Sequence, residues 1–317
     1  MSTNVNLVAI GRSRYLYDGI RHLAAQGYTF KAIITEEAYE EYAIKHGDFE
    51  LLARNLGAAF FMTKSVNKED IIRIIKENNV CAAISANWKY TIPKNFLDLF
   101  ECGILNFHLG NLPDYKGNAT VNWSIINGEN HINGNIHKMD PELDAGDIIA
   151  RKTIPESKET YIAEVLKQAE IDAPLLYEEA VKRVLADPGA YELKGSIHGL
   201  RCYPRLPEDN QIDWNDSIDA ISRLIRASSH PYRGAFSFLN GAKIIIWKAQ
   251  VFIPTEQYAA VNGHIVSIHK NKGTIMVACR GGFLEVQELE YDGKVMPPSE
   301  YIKSIRLRFK YIPNAGA

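Results

Sequence analysis

The sequence predicts an α/β protein in which a mainly parallel sheet, covered by helices on both faces, precedes a smaller β-rich segment. Two observations carry this. In the first half, short apolar runs alternate with longer amphipathic ones, the rhythm of β-α-β units. In the last third, short strand-like runs follow one another between Gly-containing turns, as in a small barrel or sandwich. The 317 residues suffice for two domains, and 46% hydrophobic with 23% charged residues supports a real buried core.

VNLVAI (5–10) reads as a buried strand, 15–25 as a helix ended at Gly27, FKAII (30–34) as a second strand, and 36–55 as a helix. AAFFM (58–62), a helix over 68–79, the strand VCAAISA (80–86) and a short helix around 93–100 lead to the strand Gly103–Leu109. Next come a helix over Thr120–Asn127, an alternating run Ile132–Met139, a strand Asp147–Ile154 and a long helix Glu159–Leu185. From Asp187 the chain turns to Pro, Gly and polar residues, a linker signal. The expected boundaries are a first domain 1–189, a linker 190–211 and a C-terminal domain 212–317. That last part opens with a helix, Ser217–Ala227, and continues with GAFSFL, AKIIIWKAQVFI, GHIVSI, GTIMVAC and GFLEVQEL as strands.

A net charge of −2 lacks the basic footprint of a nucleic-acid binder. Cys81, Cys102, Cys202 and Cys279 are scattered without metal-ligand spacing, so buried free thiols and no metal are expected. The N-terminus lacks a signal-peptide pattern and no apolar run approaches a membrane span, which points to the cytoplasm.

One strand breaks the apolar rule. In GILNFHL (103–109), Asn106 and His108 are two residues apart and share a face with Ile104. Ligands of parallel sheets bind at the carboxyl ends of strands, and this strand ends in a loop of Gly, Asn, Pro and Asp. An amide beside an imidazole offers two donors to one oxygen, as an acyl-transfer oxyanion requires. Histidine also moves protons near neutral pH. A structural pair tying the loop to neighbouring backbone is the alternative. A second stretch, HKMDPELDAGDIIAR (137–151), sets Asp140, Glu142 and Asp144 before Ala-Gly and a strand. A carboxylate there either orients the histidine, holds a water, or belongs to a solvated acidic turn.

Together the stretches resemble the formyltransferases that use 10-formyltetrahydrofolate. GILNFHLGNLPDYKGNATVNWSIINGE followed by DPELDAGDII reproduces the family's N-x-H, Pro-Gly loop and Leu-Asp-x-Gly-Asp order, with Asn106, His108 and Asp144 on the three key positions. YPRLPEDNQIDW (203–214), LIRASSHPYRGAFSFLNG (224–241) and KIIIWKA (243–249) are similar to the linker and barrel of methionyl-tRNA and UDP-aminoarabinose formyltransferases. The resemblance implies a Rossmann-like first domain and an OB-like C-terminal barrel. It implies an N-formyltransferase in which Asn106 and His108 stabilise a tetrahedral oxyanion and Asp144 positions His108 or a water. It also implies a pterin held at NWKYTIP (87–93) and at loop 139–144, through Trp88, Tyr90, Ile92, Met139, Asp140 and Glu142.

The acceptor amine is read separately. Methionyl-tRNA enzymes of the family carry a basic insertion after the second strand, whereas TEEAYEEYAIKHGDFE (35–50) is acidic and helix-like here and repels phosphates. NATVNWSIINGE (118–129) is close to a helix of amino-sugar formyltransferases. GRSRY (11–15) opens a helix after the first strand, where backbone N–H groups receive phosphate and Arg12 and Arg14 add charge, or where both arginines are plain surface residues. Tyr115 and Asn118 are further acceptor contacts. The expectation is a nucleotide-linked amino sugar of glycan or lipopolysaccharide synthesis. Methionyl-tRNA is the alternative, followed by hydrolysis of the formyl-folate and by a binding module without activity. The C-terminal part is left as a homodimer surface, a substrate contact or a cap.

Overall fold

The computed structural model describes residues 5–38 and 42–313. The chain packs into two compact units that interleave in sequence. Met1–Thr120, His131–Pro155 and Leu166–Cys202 form the first; Val121–Asn130, Glu156–Val165 and Tyr203–Ala317 form the second.

The elements run β1 (Asn6–Gly11), α1 (Arg14–Ala25), β2 (Thr29–Thr35), α2 (His46–Leu56), β3 (Ala59–Met62), α3 (Glu69–Glu77), β4 (Ala82–Ala86), α4 (Lys94–Leu97) and β5 (Gly103–Leu109). There follow β6 (Tyr115–Gly117), α5 (Thr120–Asn127), β7 (His131–Lys138), β8 (Ile148–Pro155), α6 (Ile162–Ala186) and β9 (Leu200–Cys202). The main sheet has the order β3-β2-β1-β4-β5-β7-β8. β1 to β5 are parallel, and β7 is antiparallel to both β5 and β8. This is the mainly parallel sheet that the alternation of apolar runs predicts, in the Rossmann-like form that the resemblance implies. β1 has β2 on one side and β4 on the other, so the winding reverses there and a crevice opens at the carboxyl ends.

Both faces of this sheet are covered because its strands are apolar on both. Val8, Ile10, Ile34, Ala83 and Ile104 pack with Ile71 and Ile75 of α3 and Phe96 of α4. On the other face Phe107 packs against Tyr15 of α1 and Tyr177 of α6. Tyr177 is fully buried and its hydroxyl donates to the Ser85 carbonyl at 2.6 Å.

Two expectations change. The helix over 36–55 is confined to His46–Leu56; 36–38 and 42–45 are not helical, and 39–41 lie outside the described residues. Glu36 is drawn inward by Arg12 (3.4 Å) and Lys89 (3.6 Å), while Asp48 accepts the Lys45 N–H at 2.7 Å and so sets a later helix start. The 190–211 segment carries structure, including a 3-10 turn over Pro207–Asn210. β9 pairs in parallel with β6, and Leu193 bridges Ile148, so its irregular backbone is satisfied at strand edges of the first unit.

The second unit contains α7 (Ile218–Ser228), β10 (Ala235–Leu239), β11 (Ala242–Phe252), β12 (Ile265–His269), β13 (Thr274–Cys279), β14 (Gly282–Tyr291), β15 (Lys294–Met296) and α8 (Pro298–Tyr301). Its antiparallel sheet runs β10-β11-β14-β13-β12, with β15 on β14. Residues 308–310 bridge Phe238 of β10 and His264, which precedes β12, and so join the two sheet edges. Ile212, Trp214, Ile225, Ile246, Val286 and Phe309 are among the residues of its core. Among the described residues no helix is long and apolar enough to cross a membrane.

Candidate active site

β5 fixes the site through its apolar face. Phe107 sits 4.9 Å from the Tyr15 ring and 6.3 Å from Tyr177, which directs Asn106 and His108 to the opposite side. Both are 8–9% exposed, so their polar groups must find partners. In the antiparallel register, β7 sets His137 across from Asn106 and Asn135 across from His108. Asn106 Nδ2 lies 3.0 Å from His137 Nε2, and His137 Nδ1 lies 2.9 Å from the Lys138 carbonyl. His108 Nε2 donates to the Tyr115 carbonyl at 2.9 Å.

Asp144 completes the group from the loop between β7 and β8. Its Oδ2 accepts the Gly117 N–H at 2.8 Å and stands 3.5 Å from His108 Nδ1; its Oδ1 is 3.6 Å from His137 Nε2. The loop ends are pinned by Lys138 N–H to the Asp147 carbonyl (2.9 Å) and Met139 N–H to the Ile104 carbonyl (2.8 Å). Asp144 itself has φ 48°, a left-handed backbone that aspartate adopts more readily than bulkier residues. Two residues on, Gly146 runs so close to the Lys138 carbonyl that a Cβ would lie 1.8 Å from its oxygen, so this turn requires glycine.

Burial pulls the His108 imidazole below the ordinary value of 6.5, reinforced by His137 and partly opposed by Asp144 and the Tyr115 carbonyl. Burial also works against the Asp144 carboxylate, but His108, His137 and the Gly117 N–H outweigh it and hold the group well below the usual carboxylate range. At neutral pH the site therefore holds a neutral imidazole beside an ionised carboxylate. This pair can take up a proton, with the Asn106 amide as an adjacent donor for developing negative charge.

Further polar residues hold the loop after β5, and the sequence reading does not single them out. Asn135 donates to the His108 (3.1 Å) and Gly110 (2.7 Å) carbonyls, and Arg151 donates to Asn135 Oδ1 (2.9 Å) and the Leu112 carbonyl (2.5 Å). Asn111 donates to the His131 carbonyl and accepts the Asn133 N–H, each at 2.9 Å. The signal is nonetheless in the sequence. Asn133, Asn135 and His137 alternate along β7 as Asn106 and His108 do along β5.

Residues 12–175 match the formyl transferase family and residues 206–306 match the formyl transferase C-terminal domain. The chain belongs to the formyl transferase family. It is an enzyme that transfers formyl groups. Over 94% of its length it is 26% identical to a methionyl-tRNA formyltransferase of Caldanaerobacter subterraneus subsp. tengcongensis, of which it covers 96%. Its fold is similar to WlaRD, a sugar 3N-formyl transferase solved in the presence of dTDP and 5-N-formyl-THF, with TM-score 0.63 and 13% identity over 92% of this chain and 98% of WlaRD. It is also similar to HypX from Aquifex aeolicus in complex with tetrahydrofolic acid, with TM-score 0.60 and 15% identity over 95% of this chain. The chain spans about half of HypX, 47% of its length.

In this formyl transferase, Trp88, Ile92 and Met139 join one apolar cluster, and the Trp88 ring meets Tyr90 edge-on at 5.5 Å. The Trp88 Nε1–H is buried without a hydrogen-bond partner, an unused donor next to apolar surface. Asp140 Oδ1 accepts the Glu142 N–H at 3.0 Å and shapes the loop, and both residues are exposed. Tyr115 is buried and acts on His108 through its carbonyl, whereas Asn118 is exposed and donates its N–H to the Cys202 carbonyl at 3.0 Å.

Arg12 lies where neither reading of the sequence puts it, whereas Arg14 is a surface residue. Arg12 is 3% exposed, pairs with Glu36, and donates to the Glu37 (2.8 Å) and Asn87 (3.3 Å) carbonyls. It clamps the loops after β1, β2 and β4, so its guanidinium is already satisfied and does not wait for a diphosphate. Arg14 is on the surface of α1, 3.7 Å from both Asp18 and Glu170. Among the described residues no group of His, Cys, Asp and Glu could hold a metal ion.

Proposed function

We propose that this enzyme transfers the formyl group of 10-formyltetrahydrofolate to the amino group of a nucleotide-linked amino sugar. The amine attacks the formyl carbon, and the new C–N bond leaves an oxyanion that accepts an N–H from Asn106 and, once the ring turns from the Tyr115 carbonyl, the Nε2–H of His108. Loss of one such donor costs about 3 kcal/mol of barrier. The excess amine proton passes to the His108–Asp144 pair. Collapse of the oxyanion then breaks the bond to N10 of the folate, which leaves as tetrahydrofolate after taking a proton. Trp88, Tyr90, Ile92, Met139 and the backbone of loop 139–144 are the residues for the pterin. WlaRD, solved in the presence of 5-N-formyl-THF, and HypX, solved with tetrahydrofolic acid, support that assignment.

The observation that carries the acceptor is the stretch after β2. From Thr35 to Glu50 the sequence holds six carboxylates against one lysine, and only Glu36 of them is paired inward with Arg12 and Lys89 among the described residues. A stretch with this excess of negative charge disfavours a polyanionic acceptor stem. The choice does not rest on Arg12 or Arg14. Methionyl-tRNA is the second reading, favoured by the name of the Caldanaerobacter relative. Incubation with 10-formyltetrahydrofolate and separate panels of nucleotide-linked 3-amino and 4-amino sugars and methionyl-tRNA decides between them. We expect mass gain of one formyl group on a sugar nucleotide; gain on methionyl-tRNA alone sinks the sugar reading.

A further inference from the structure

The geometry points to His137 as a positioning residue for formyl transfer. The Lys138 carbonyl fixes its tautomer, and that tautomer fixes which end of the Asn106 amide faces the imidazole. This deepens the proposed function, since it rests on Asn106 donating to the oxyanion.

A neutral imidazole carries one N–H, and its other nitrogen accepts. His137 Nδ1 lies 2.9 Å from the Lys138 carbonyl oxygen, which only accepts, so the proton belongs on Nδ1. The opposite tautomer sets a lone pair against that oxygen; its Nε2–H meets Asn106 Oδ1 only if the amide is turned over, and Asp144 Oδ1 lies 3.6 Å away, beyond hydrogen-bond length. With Nε2 left as an acceptor, Asn106 meets it at 3.0 Å with its NH2 group. Turning the amide over sets two lone-pair atoms face to face. His137 is 2% exposed, so bulk water does not replace the contact. One Asn106 N–H is thereby held by the imidazole, and the other is left in a fixed direction as a donor. The register supplies the pairing, because β5 and β7 set residues 106 and 137 directly opposite. The charged and titratable groups facing His137 are Asp144 and His108, the latter with its ring 6.2 Å away and edge-on.

His137→Leu and His137→Gln test this in the full-length enzyme, with whichever acceptor the wild type formylates. Leucine removes the acceptor and frees the amide to rotate. We expect kcat to fall on the order of 10²-fold while KM for 10-formyltetrahydrofolate stays near the wild-type value. Glutamine offers a side-chain oxygen as a substitute acceptor and restores most of the rate. Equal losses in both variants, or a wild-type kcat in the leucine variant, overturn the assignment. Long-range 1H–15N correlation on wild-type enzyme reads the tautomer without any acceptor or variant. A ring with the proton on Nδ1 and a bare Nε2 is expected, and a proton on Nε2, alone or with one on Nδ1, contradicts it. A wrong acceptor class leaves both arms of the test standing.

Discussion

Asn106 and His108 occupy strand positions whose other-face neighbours, Leu105 and Phe107, are ordinary core residues. The core fixes the strand, and the polar pair follows from a side-chain period of two. The same period makes Asn133, Asn135 and His137 readable on β7, but which of them meets Asn106 depends on strand register, a tertiary property. Arg12 is the opposite case. In sequence it is a cation in a loop at a helix start, and only the fold shows Glu36 turned inward to meet it. For His108 the burial has a measurable consequence. Its imidazole is held below the usual 6.5, so the proton-accepting neutral form persists into mildly acidic solution. We expect the His108 ring, followed by NMR across pH in the free enzyme, to titrate with its midpoint below 6.5; a midpoint above that value contradicts the assignment. The same depression makes the unfolded chain bind protons more readily than the folded one. Stability therefore falls as pH drops from about 6.5 toward the folded-state pKa.

At the scale of elements, the strands are the most legible parts. β5 spans the predicted Gly103–Leu109, α5 spans Thr120–Asn127, and all five C-terminal runs form strands. The failures have physical causes. The 36–55 stretch has helical periodicity, but the inward pull on Glu36 and the Asp48 cap delay the helix to His46. The Pro- and Gly-rich stretch after Asp187 has linker composition, yet β6 offers β9 an edge to pair with. Helix packing behind β5 rests on a close approach that the sequence does not reveal. A Cβ on Gly19 of α1 would lie 2.6 Å from the Tyr177 ring, which is itself tethered to the Ser85 carbonyl. Gly19→Ala gains helix propensity of about 1 kcal/mol, but overpacking costs about 1–3 kcal/mol. With a fully buried, tethered ring the clash prevails. Denaturant unfolding should show a lower midpoint, and an unchanged or raised midpoint would show that the ring yields freely.

The whole molecule joins a Rossmann-like unit, which holds Asn106, His108, His137 and Asp144, to a strand-rich unit with its own core. Alternating apolar runs reveal the first and closely spaced strands the second. The exchange of Val121–Asn130 and Glu156–Val165 into the second unit leaves no mark in composition, because it is decided by packing. The account turns on the claim that the polar face of β5 carries out formyl transfer. Initial rates of tetrahydrofolate release should be measured with the acceptor present, for wild-type enzyme and for His108→Ala. Donor binding and the unfolding transition should be followed in parallel. The account predicts a rate lowered by at least about 10²-fold with donor binding and folding retained. Near-wild-type turnover by the alanine variant would contradict it.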